Sequence, residues 1–443
     1  MKSKNTWNYA PYLPADRRSE TENPFVCRLA PGKDSCEVEW LGEGDSFSLH
    51  YSARGQEDWH EIAVGRKEYC LQGLKEDAEY ELFVRDEAGR KSPVRLLRTG
   101  VNVGTVVNYL HPEDAQYGFS GQYLCSPSIL RLPGGAILAS MDVFAGNAPQ
   151  NLTLLFRSDD GGLHWRYVTD IFPCFWGKMF WHKDRLYMLG VSREYGDMLI
   201  GASDDEGRTW STPTVLSRGS SSSIENGHHR APTVVLNSHG RLWTGTEYGS
   251  WKKNRFSASL LSADENADLL DAGNWTFTDF VRPDVESLGE EAGSPGGIEG
   301  NAVELPDGRV VDLLRFKEDK AILMEANPDD PEAALVLKGL PYFPLAHTKF
   351  EVARHANGIY YALGNPAPGR NILSLYASPD FVHWDKLQEV VNHAECSIKD
   401  VGFQYPVFCF EGNDMLLLSR TAWNHAHNFH DSNCITFHRI TID

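Results

Sequence analysis

The segment from Gly297 to Phe316 reads GIEGNAVELPDGRVVDLLRF, and it decides the fold. Two short alternating runs flank Asp307-Gly308, which predicts a β-hairpin because both residues tolerate the positive φ of a tight turn. Glu299 lies just before the first strand, and Arg315 ends the second strand. Antiparallel pairing brings those two ends together, so we expect a carboxylate and a guanidinium side by side at one edge of the sheet.

Five further copies of this hairpin pattern occur in the chain. They cover residues 125–140, 178–189, 230–243, 349–362 and 405–418. Successive turns are 49 to 68 residues apart, which fits four-stranded units repeated around a ring. We therefore predict an all-β chain in which residues 101–443 form a six-bladed β-propeller. The ring would close by pairing a strand at 104–110 with one at 434–440, which removes exposed sheet edges.

The residues before the propeller divide into two parts. Residues 1–20 are polar and lack periodicity, which predicts a surface tail. Residues 21–100 alternate in the manner of β-strands between turn signals, which predicts a small β-sandwich. Trp40 and Tyr80 stand where fibronectin type III modules have a core tryptophan and a late-strand tyrosine. The sandwich resembles that family, which implies a spacing or docking role, with sugar binding as the alternative.

A second repeated signal follows two of the hairpins. SDDGGLHW at 158–165 and SDDEGRTW at 203–210 share the pattern Ser-x-Asp-x-Gly-x-(His/Thr)-Trp. This pattern predicts a turn in which Asp caps backbone amides, Gly takes a positive φ and Trp packs between sheets. The two turns resemble the Asp-boxes, or BNR repeats, of the sialidase-like propeller superfamily. The resemblance implies a structural role for the turns and a glycosidase function for the chain.

Composition limits the classes of partner. The 443 residues are 41% hydrophobic and carry a formal net charge of −19. This charge argues against nucleic acid or an anionic membrane as a partner, because both bind basic surfaces. Eight cysteines without CxxC spacing favour reduced thiols, so we expect no metal and no cofactor. We find no signal peptide or membrane helix, which predicts a cytoplasmic protein, or a secreted one if a leader peptide has been cleaved.

Candidate site residues cluster at one rim of the predicted propeller. In each blade the start of the first strand and the end of the second meet at that rim, so polar residues there converge on one pocket. The candidates for binding a carbohydrate substrate are Trp176, Lys178, His228, Arg230, Tyr248, Arg315, His347, Lys349, Gln404 and Arg420. The candidates for acid, base or nucleophile are Asp142, His229, Glu247, Glu299 and Tyr405.

The resemblance to sialidases implies roles for three of these residues. In that family a Glu that starts one hairpin is the base for a Tyr nucleophile, and an Arg that ends the hairpin holds the substrate carboxylate. Glu299, Tyr405 and Arg315 are similar to these residues in order and spacing. A tyrosine hydroxyl with a pKa of about 10 needs an adjacent base, which gives the pairing a physical reason.

The sequence departs from the sialidase pattern at three places. Residues 125–127 read Cys-Ser-Pro where sialidases have Arg-Ile-Pro, and no Arg stands near His347 to fill the third position of the arginine triad. Three arginines around one carboxylate give sialidases their specificity. Loop 143–150 lacks the general-acid Asp of the family, and Asp142 is the nearest substitute.

These departures favour an exo-acting glycoside hydrolase for another terminal sugar, acidic or deoxy. Its carboxyl pair would be Glu299 with Asp142 or Glu247. A true exo-sialidase and a non-catalytic carbohydrate-binding propeller are alternatives. The remaining alternative is a polysaccharide lyase, in which a His or Tyr base removes a proton beside a uronic carboxylate that an Arg neutralises. The residues for that reaction would be His228, His229, Arg230 and Tyr405.

Overall fold

The computed structural model describes residues 23–220, 225–253, 255–291 and 296–442. The helical elements within them are two short 3₁₀ helices, Ala272–Asn274 and Val285–Leu288. The all-β class expected from the sequence is confirmed. Among the described helices, none has the length and apolar character needed to cross a membrane. The tail expected at residues 1–20 lies outside the described residues.

The first seven strands form two antiparallel sheets. They are β1 (Phe25–Pro31), β2 (Ser35–Leu41), β3 (Phe47–Ala53), β4 (His60–Val64), β5 (Glu68–Gln72), β6 (Glu79–Asp86) and β7 (Arg95–Arg98). The strand orders are β1-β2-β5 and β4-β3-β6-β7. Along β2 the side chains of Cys36, Val38 and Trp40 are buried and those between them are half-buried. Because every second side chain is buried, one face of this sheet packs against a core that it shares with the other sheet.

Six further sheets follow within the described part of residues 105–441. The first holds β9 (Tyr123–Arg131), β10 (Ile137–Phe144), β11 (Leu152–Ser158) and β12 (Arg166–Ile171). The second holds β13 (Phe175–His182), β14 (Arg185–Val191), β15 (Met198–Ser203) and β16 (Thr214–Ser217). The third holds β17 (Gly227–His229), β18 (Leu236–Ser238), β19 (Arg241–Ser250), β20 (Arg255–Asp264) and β21 (Trp275–Phe277).

The remaining three sheets repeat the same plan. The fourth holds β22 (Ile298–Glu304), β23 (Val310–Lys317), β24 (Lys320–Glu325) and β25 (Val336–Gly339). The fifth holds β26 (Glu351–Arg354), β27 (Tyr360–Gly364), β28 (Ile372–Ser378) and β29 (Asp385–Asn392). The sixth holds β30 (Gly402–Glu411), β31 (Asp414–Ala422), β32 (Cys434–Thr441) and the early strand β8 (Thr105–Tyr109).

The sheets contact one another in sequence order and close a ring. The inner strand β9 contacts β13 and β30, β22 contacts β19 and β26, and β26 contacts β30. The second and third sheets are joined by Arg230, whose guanidinium donates to the Leu189 carbonyl at 2.6 Å. The expected closure is confirmed, because β32 pairs antiparallel with β8. The ring brings residues far apart in sequence to one rim.

The hairpin at Asp307-Gly308 forms, but its turn differs from the expectation. Gly308 alone of the pair takes a positive φ, of 88°. The N–H of Gly308 donates to the Leu305 carbonyl at 2.9 Å, and the N–H of Leu305 donates to the Arg309 carbonyl at 2.8 Å. A helical-type turn followed by one left-handed glycine joins the strands with the right-handed twist of the sheet.

The two repeated turns, which follow the third strands of the first and second sheets, share one hydrogen-bond arrangement. In the first, the N–H of Gly162 donates to Ser158 Oγ at 2.8 Å, and Trp165 Nε1 donates to the Gly162 carbonyl at 3.1 Å. The turn at 203–210 repeats both bonds at 2.8 and 3.0 Å. Both tryptophans are buried, so these turns contribute to packing and lie outside the cavity described below.

The sandwich packs firmly against the ring. Arg95 of β7 forms a buried ion pair with Asp114 at 2.5 Å, and Arg28 Nε donates to the Val107 carbonyl at 3.2 Å. Val106 and Tyr109 of β8 belong to the same apolar cluster as the sandwich core. Since buried apolar and charged contacts join the two parts, the sandwich supports the sheet that closes the ring.

The close approach of the third and fourth sheets gives a stability prediction. Gly245 of β19 faces Gly300 of β22, and a Cβ at 245 would stand 2.4 Å from the Gly300 carbonyl oxygen. We expect Gly245→Ala to lower the free energy of unfolding by about 1–3 kcal/mol, because backbone atoms must move apart. Urea unfolding measures the change. Gly65→Ala is the control, since nothing lies within 4 Å of a Cβ there; equal stability of both variants would contradict the packing.

Candidate active site

A cavity of about 470 Å³ opens at the rim where the inner strands of the ring begin. Five of the six sheets contribute side chains to its wall, and the fifth sheet contributes through the loop that follows β27. Seven of the residues expected at the site line it, namely Trp176, His229, Arg230, Glu299, Arg315, Tyr405 and Arg420. The cavity is therefore the place where the candidate chemistry of the sequence is concentrated.

Four inner strands place a side chain in the cavity by the same backbone feature. A β-bulge interrupts the pairing of β9, β13, β22 and β30 at Ser126, Trp176, Glu299 and Tyr405. Each of these residues has a positive φ, between 45° and 59°. A bulge re-aims a side chain, and a non-glycine residue at positive φ costs about 1–3 kcal/mol where the fold imposes it. Four such positions around one cavity indicate a functional site.

Asp142 lies beneath the cavity and interacts with the bulge residues of two inner strands, β9 and β13. Its carboxylate accepts the N–H of Trp176 at 2.6 Å and the Thr153 hydroxyl at 2.5 Å, and it also interacts with Ser126. Burial raises the pKa of Asp142 well above its usual range despite these hydrogen bonds. Because Asp142 is fully buried and does not line the cavity, its position suits anchoring the wall more than contacting a ligand.

Glu247 and Lys349 occupy similar places beneath the other bulges. Glu247 accepts the Gly300 N–H at 3.0 Å through one oxygen, and its other oxygen is 2.7 Å from Nδ1 of His229. Lys349 Nζ donates to the carbonyl of Pro406, next to Tyr405, at 2.5 Å. Burial lowers the pKa of Lys349 to about 8. Neither residue lines the cavity.

His228 and Tyr248 lie on the side of the third sheet that faces away from the cavity. Neighbouring residues of a strand alternate between faces, so His229 lines the cavity and His228 does not. The His228 ring packs edge-on against Tyr248 at 5.2 Å, and its Nε2 is 2.9 Å from Ser217 Oγ. Burial lowers the pKa of His228 to about 4. Both residues contribute to packing between the sheet and its loops.

The remaining three expected residues support the wall from behind. Gln404 accepts a hydrogen bond from the guanidinium of Arg370. The backbone carbonyl of His347 accepts Nε of Arg315 at 3.0 Å. Lys178 forms a buried ion pair with Glu351 at 3.1 Å. None of the three lines the cavity, but two of them fix arginines that do.

Glu299, Arg315 and Tyr405 form a connected group. Arg315 Nη1 is 3.0 Å from Glu299 Oε2, as the hairpin predicted. The Tyr405 hydroxyl interacts with the Glu299 carboxylate. Burial acts to raise the pKa of Glu299, but Arg315, His229 and Tyr405 together hold its pKa below the usual range. Burial and Glu299 raise the pKa of Tyr405. The group thus pairs an ionised carboxylate with a neutral phenol.

Three arginines surround Tyr405. Arg315 interacts with its hydroxyl, and the guanidinium carbons of Arg370 and Arg420 are 5.7 and 5.1 Å from the centre of its ring. Burial, with Arg315 and Arg420 nearby, lowers the pKa of Arg370. Arg370 stands in the loop after β27, outside every hairpin pattern, and sequence reasoning missed it. Arg420 Nε is buried without a hydrogen-bond partner among the described residues. This wall suits an anionic group.

Glu194 is a second carboxylate in the cavity wall, and sequence reasoning missed it as well. It stands in the turn between β14 and β15, three residues after β14 ends at Val191. Gln150 Nε2 donates to Glu194 Oε2 at 2.7 Å. Burial raises the pKa of Glu194, although His229 and the Gln150 bond oppose the change. Trp251 and His430 also line the cavity and had no signal in the hairpin pattern.

No protein-family profile and no curated protein matches the sequence. Solved structures do share the fold. The Hadza microbial sialidase Hz136 aligns at 13% identity over 92% of this chain and 93% of its own, with a TM-score of 0.52. The leech intramolecular trans-sialidase, complexed with 2,7-anhydro-Neu5Ac, aligns at 11% identity over 95% and 92%, with a TM-score of 0.50. A protein of unknown function from Dyadobacter fermentans aligns at 15% over 77% and 98%, with a TM-score of 0.53. These likenesses show the fold alone.

Proposed function

We propose that this chain is an exo-acting glycosidase that releases a terminal sugar bearing a carboxylate. The observation that carries the proposal is the convergence of Arg315, Arg370 and Arg420 on the wall that presents Tyr405 and Glu299. Guanidinium groups bind carboxylates through charge-assisted, often paired hydrogen bonds. Three cations at one wall, of which Arg420 is buried and Arg315 and Arg370 are half-buried, repel each other, so an anion in the cavity stabilises them.

The reaction centre follows from the same group of residues. Tyr405 attacks the anomeric carbon while Glu299 accepts the phenol proton, because the two side chains interact and the pKa of Glu299 is held low. A neutral phenol approaches an anionic sugar without the repulsion that a carboxylate nucleophile would meet. Arg315 stays paired to Glu299 and keeps the base in place. These roles agree with those that the resemblance to sialidases implies.

The shape of the cavity supports cleavage at a chain end. Its volume of about 470 Å³ suits a monosaccharide with part of its neighbour. Beneath it, Lys178 of the second sheet and Glu351 of the fifth sheet meet across the channel at 3.1 Å. This buried ion pair closes the base of the cavity, which supports binding of a terminal sugar at the arginines.

We also propose family relations for the two repeated turns and for the N-terminal sandwich. The repeated turns at 158–165 and 203–210, with matching Ser, Gly and Trp hydrogen bonds, support their assignment as Asp-boxes. The three-plus-four strand order of residues 25–98 supports a fibronectin type III-like module. We assign that module a structural role, because its buried contacts are with β8, which closes the ring.

A substrate panel tests the function. Aryl glycosides of nonulosonic acids and uronic acids are compared with neutral counterparts, and phenol release is followed. We expect kcat/KM for at least one carboxylated glycoside to exceed that for its neutral counterpart by about 10²-fold or more, because a site built for a polar group rejects the analogue that lacks it. Equal rates, or release from none of them, would contradict the proposal.

A polysaccharide lyase is the second candidate. The observation that favours it is the Glu247-oriented imidazole of His229 in a cavity that also holds three arginines and Tyr405. A lyase leaves an unsaturated uronate whose double bond absorbs ultraviolet light, and it incorporates no water. Growth of that absorbance on uronate polymers, with no phenol release from the panel, would replace the glycosidase by the lyase. Saturable binding without either product would make the cavity a lectin site.

A further inference from the structure

Resting on the proposed glycosidase function, we propose that Glu194 is the general acid and base of the reaction, held in place by Gln150 and Tyr195. Loop 143–150, where the resemblance to sialidases places the general acid, has no acidic residue, so another side chain must supply the proton. Asp142 and Glu247 do not fill it, since both are fully buried beneath the wall and their oxygens hold backbone amides. Glu194 is half-buried and lines the cavity.

Backbone hydrogen bonds fix the turn that carries Glu194. The N–H of Ser192 donates to the Asp197 carbonyl, and the N–H of Gly196 donates to the Arg193 carbonyl, both at 2.8 Å. Tyr195 is buried at a positive φ of 59°, and its ring packs against Trp176 at 6.1 Å. A carboxylate that must reach a departing oxygen needs a fixed backbone. This turn provides one.

Two side chains fix the carboxylate itself. Gln150 Nε2 donates to it at 2.7 Å, and the neighbouring Tyr195 hydroxyl, which accepts the N–H of Trp251 at 3.0 Å, also interacts with it. Gln150 takes a positive φ of 52° to make this contact. The loop in which sialidases carry an Asp therefore supplies an amide that cannot give up a proton but can orient a group that does.

The two cavity carboxylates have opposite protonation preferences. Burial raises the pKa of Glu194, whereas Arg315 and His229 hold the pKa of Glu299 low against its burial. His229 acts on both groups, which places both within electrostatic reach of one imidazole. Titratable pairs whose environments separate their pKa values in this way mark the acid and the base of a site.

The bonds and protons balance over two steps. In the first, the glycosidic C–O bond breaks, Glu194 gives its proton to the leaving oxygen, and Tyr405 forms a bond to the anomeric carbon as its proton passes to Glu299. In the second, the Glu194 carboxylate takes a proton from water, and the resulting hydroxide attacks the anomeric carbon. The Tyr405 oxygen leaves and recovers its proton from Glu299.

Leaving-group dependence of kcat/KM tests the assignment, because an activated phenol departs without a proton whereas a sugar alcohol does not. For Glu194→Gln we expect a loss of about 10²–10⁴-fold on a disaccharide and less than about 10-fold on a nitrophenyl glycoside of the same sugar. Glu318→Gln, at an exposed carboxylate outside the cavity, is the matched control and keeps both rates. Equal losses on the two substrates would overturn the role of Glu194.

Two further readouts separate an acid from a merely structural residue. The wild-type kcat/KM on the disaccharide falls as pH rises through the raised pKa of Glu194, and the Gln variant lacks this basic limb. Azide restores turnover of the nitrophenyl glycoside by Glu194→Ala and yields a glycosyl azide. An unchanged basic limb, or no azide product, overturns the assignment. If the wild type cleaves neither substrate, the proposed glycosidase function itself has failed. That outcome differs from an active wild type whose Glu194 variants contradict the role of Glu194.

Discussion

Replacing Glu299 with Gln is expected to lower kcat/KM by about 10²–10⁴-fold on every substrate, whatever its leaving group. Gln fills the same space but cannot accept the Tyr405 proton, so the phenol remains a poor nucleophile. This loss differs from that of Glu194→Gln, which depends on the leaving group. Steady-state kinetics on a nitrophenyl glycoside and a disaccharide compare the two variants directly.

A second measurement tests the same pairing without a substrate. Glu299 raises the pKa of Tyr405, while Arg315, Arg370 and Arg420 lower it. Glu299→Gln removes the opposing charge, so the pKa of Tyr405 falls. Tyrosinate absorbance across alkaline pH, taken as the difference from the same background carrying Tyr405→Phe, reports this one residue. An unchanged Tyr405 titration with full activity would remove Glu299 from the mechanism.

The repeat could be predicted from sequence because it is local. Each hairpin carries its own turn residues and its own period of two, so the order of strands and the strand that closes the ring follow from pattern alone. The pairing of Glu299 with Arg315 is local in the same sense, since both belong to one hairpin.

The sequence pattern did not predict which side chains of the inner strands point into the cavity. A bulge adds one residue to a strand and reverses which side chains face the cavity after it, and nothing in a period-two pattern marks it. Trp176 therefore lines the cavity, while Lys178, at the same parity in sequence, reaches Glu351 in the channel below. In each of the four bulges the residue at positive φ is followed by Gly or Pro, which is a signal that sequence reading could use.

Residues supplied by loops were missed for another reason. Arg370 follows β27 in a loop, and Glu194 stands in the turn after β14. Neither belongs to a strand pattern, and their contact with the cavity depends on how the loop folds back over its own sheet. Of the three arginines at Tyr405, Arg370 is the one that comes from a loop, which is why the hairpin pattern did not mark it.

Replacing Arg370 with Met is expected to reduce kcat/KM for a carboxylated aryl glycoside by about 30- to 4000-fold, from about 2–5 kcal/mol for truncating one partner of a buried charge pair. The methyl ester of the same substrate isolates the carboxylate contact, and we expect a loss of less than about 10-fold there. Arg255→Met, at an exposed arginine at the start of β20, is the control. Equal losses on the acid and the ester would contradict carboxylate binding by Arg370.

The free energy of unfolding of Arg370→Met should change far less than its activity. Burial lowers the pKa of Arg370, so the folded state disfavours its charge, and Arg315 and Arg420 add repulsion. Met removes the buried charge and keeps apolar contact beside Phe429 and Tyr405, which the guanidinium now overlies at 5.4 and 5.7 Å. Loss of the hydrogen bond from Arg370 to the buried Gln404 oxygen opposes this gain, so we expect the free energy of unfolding to change by less than about 1–2 kcal/mol. A residue kept only for structure would lose stability on replacement, whereas one kept to bind an anion loses activity alone.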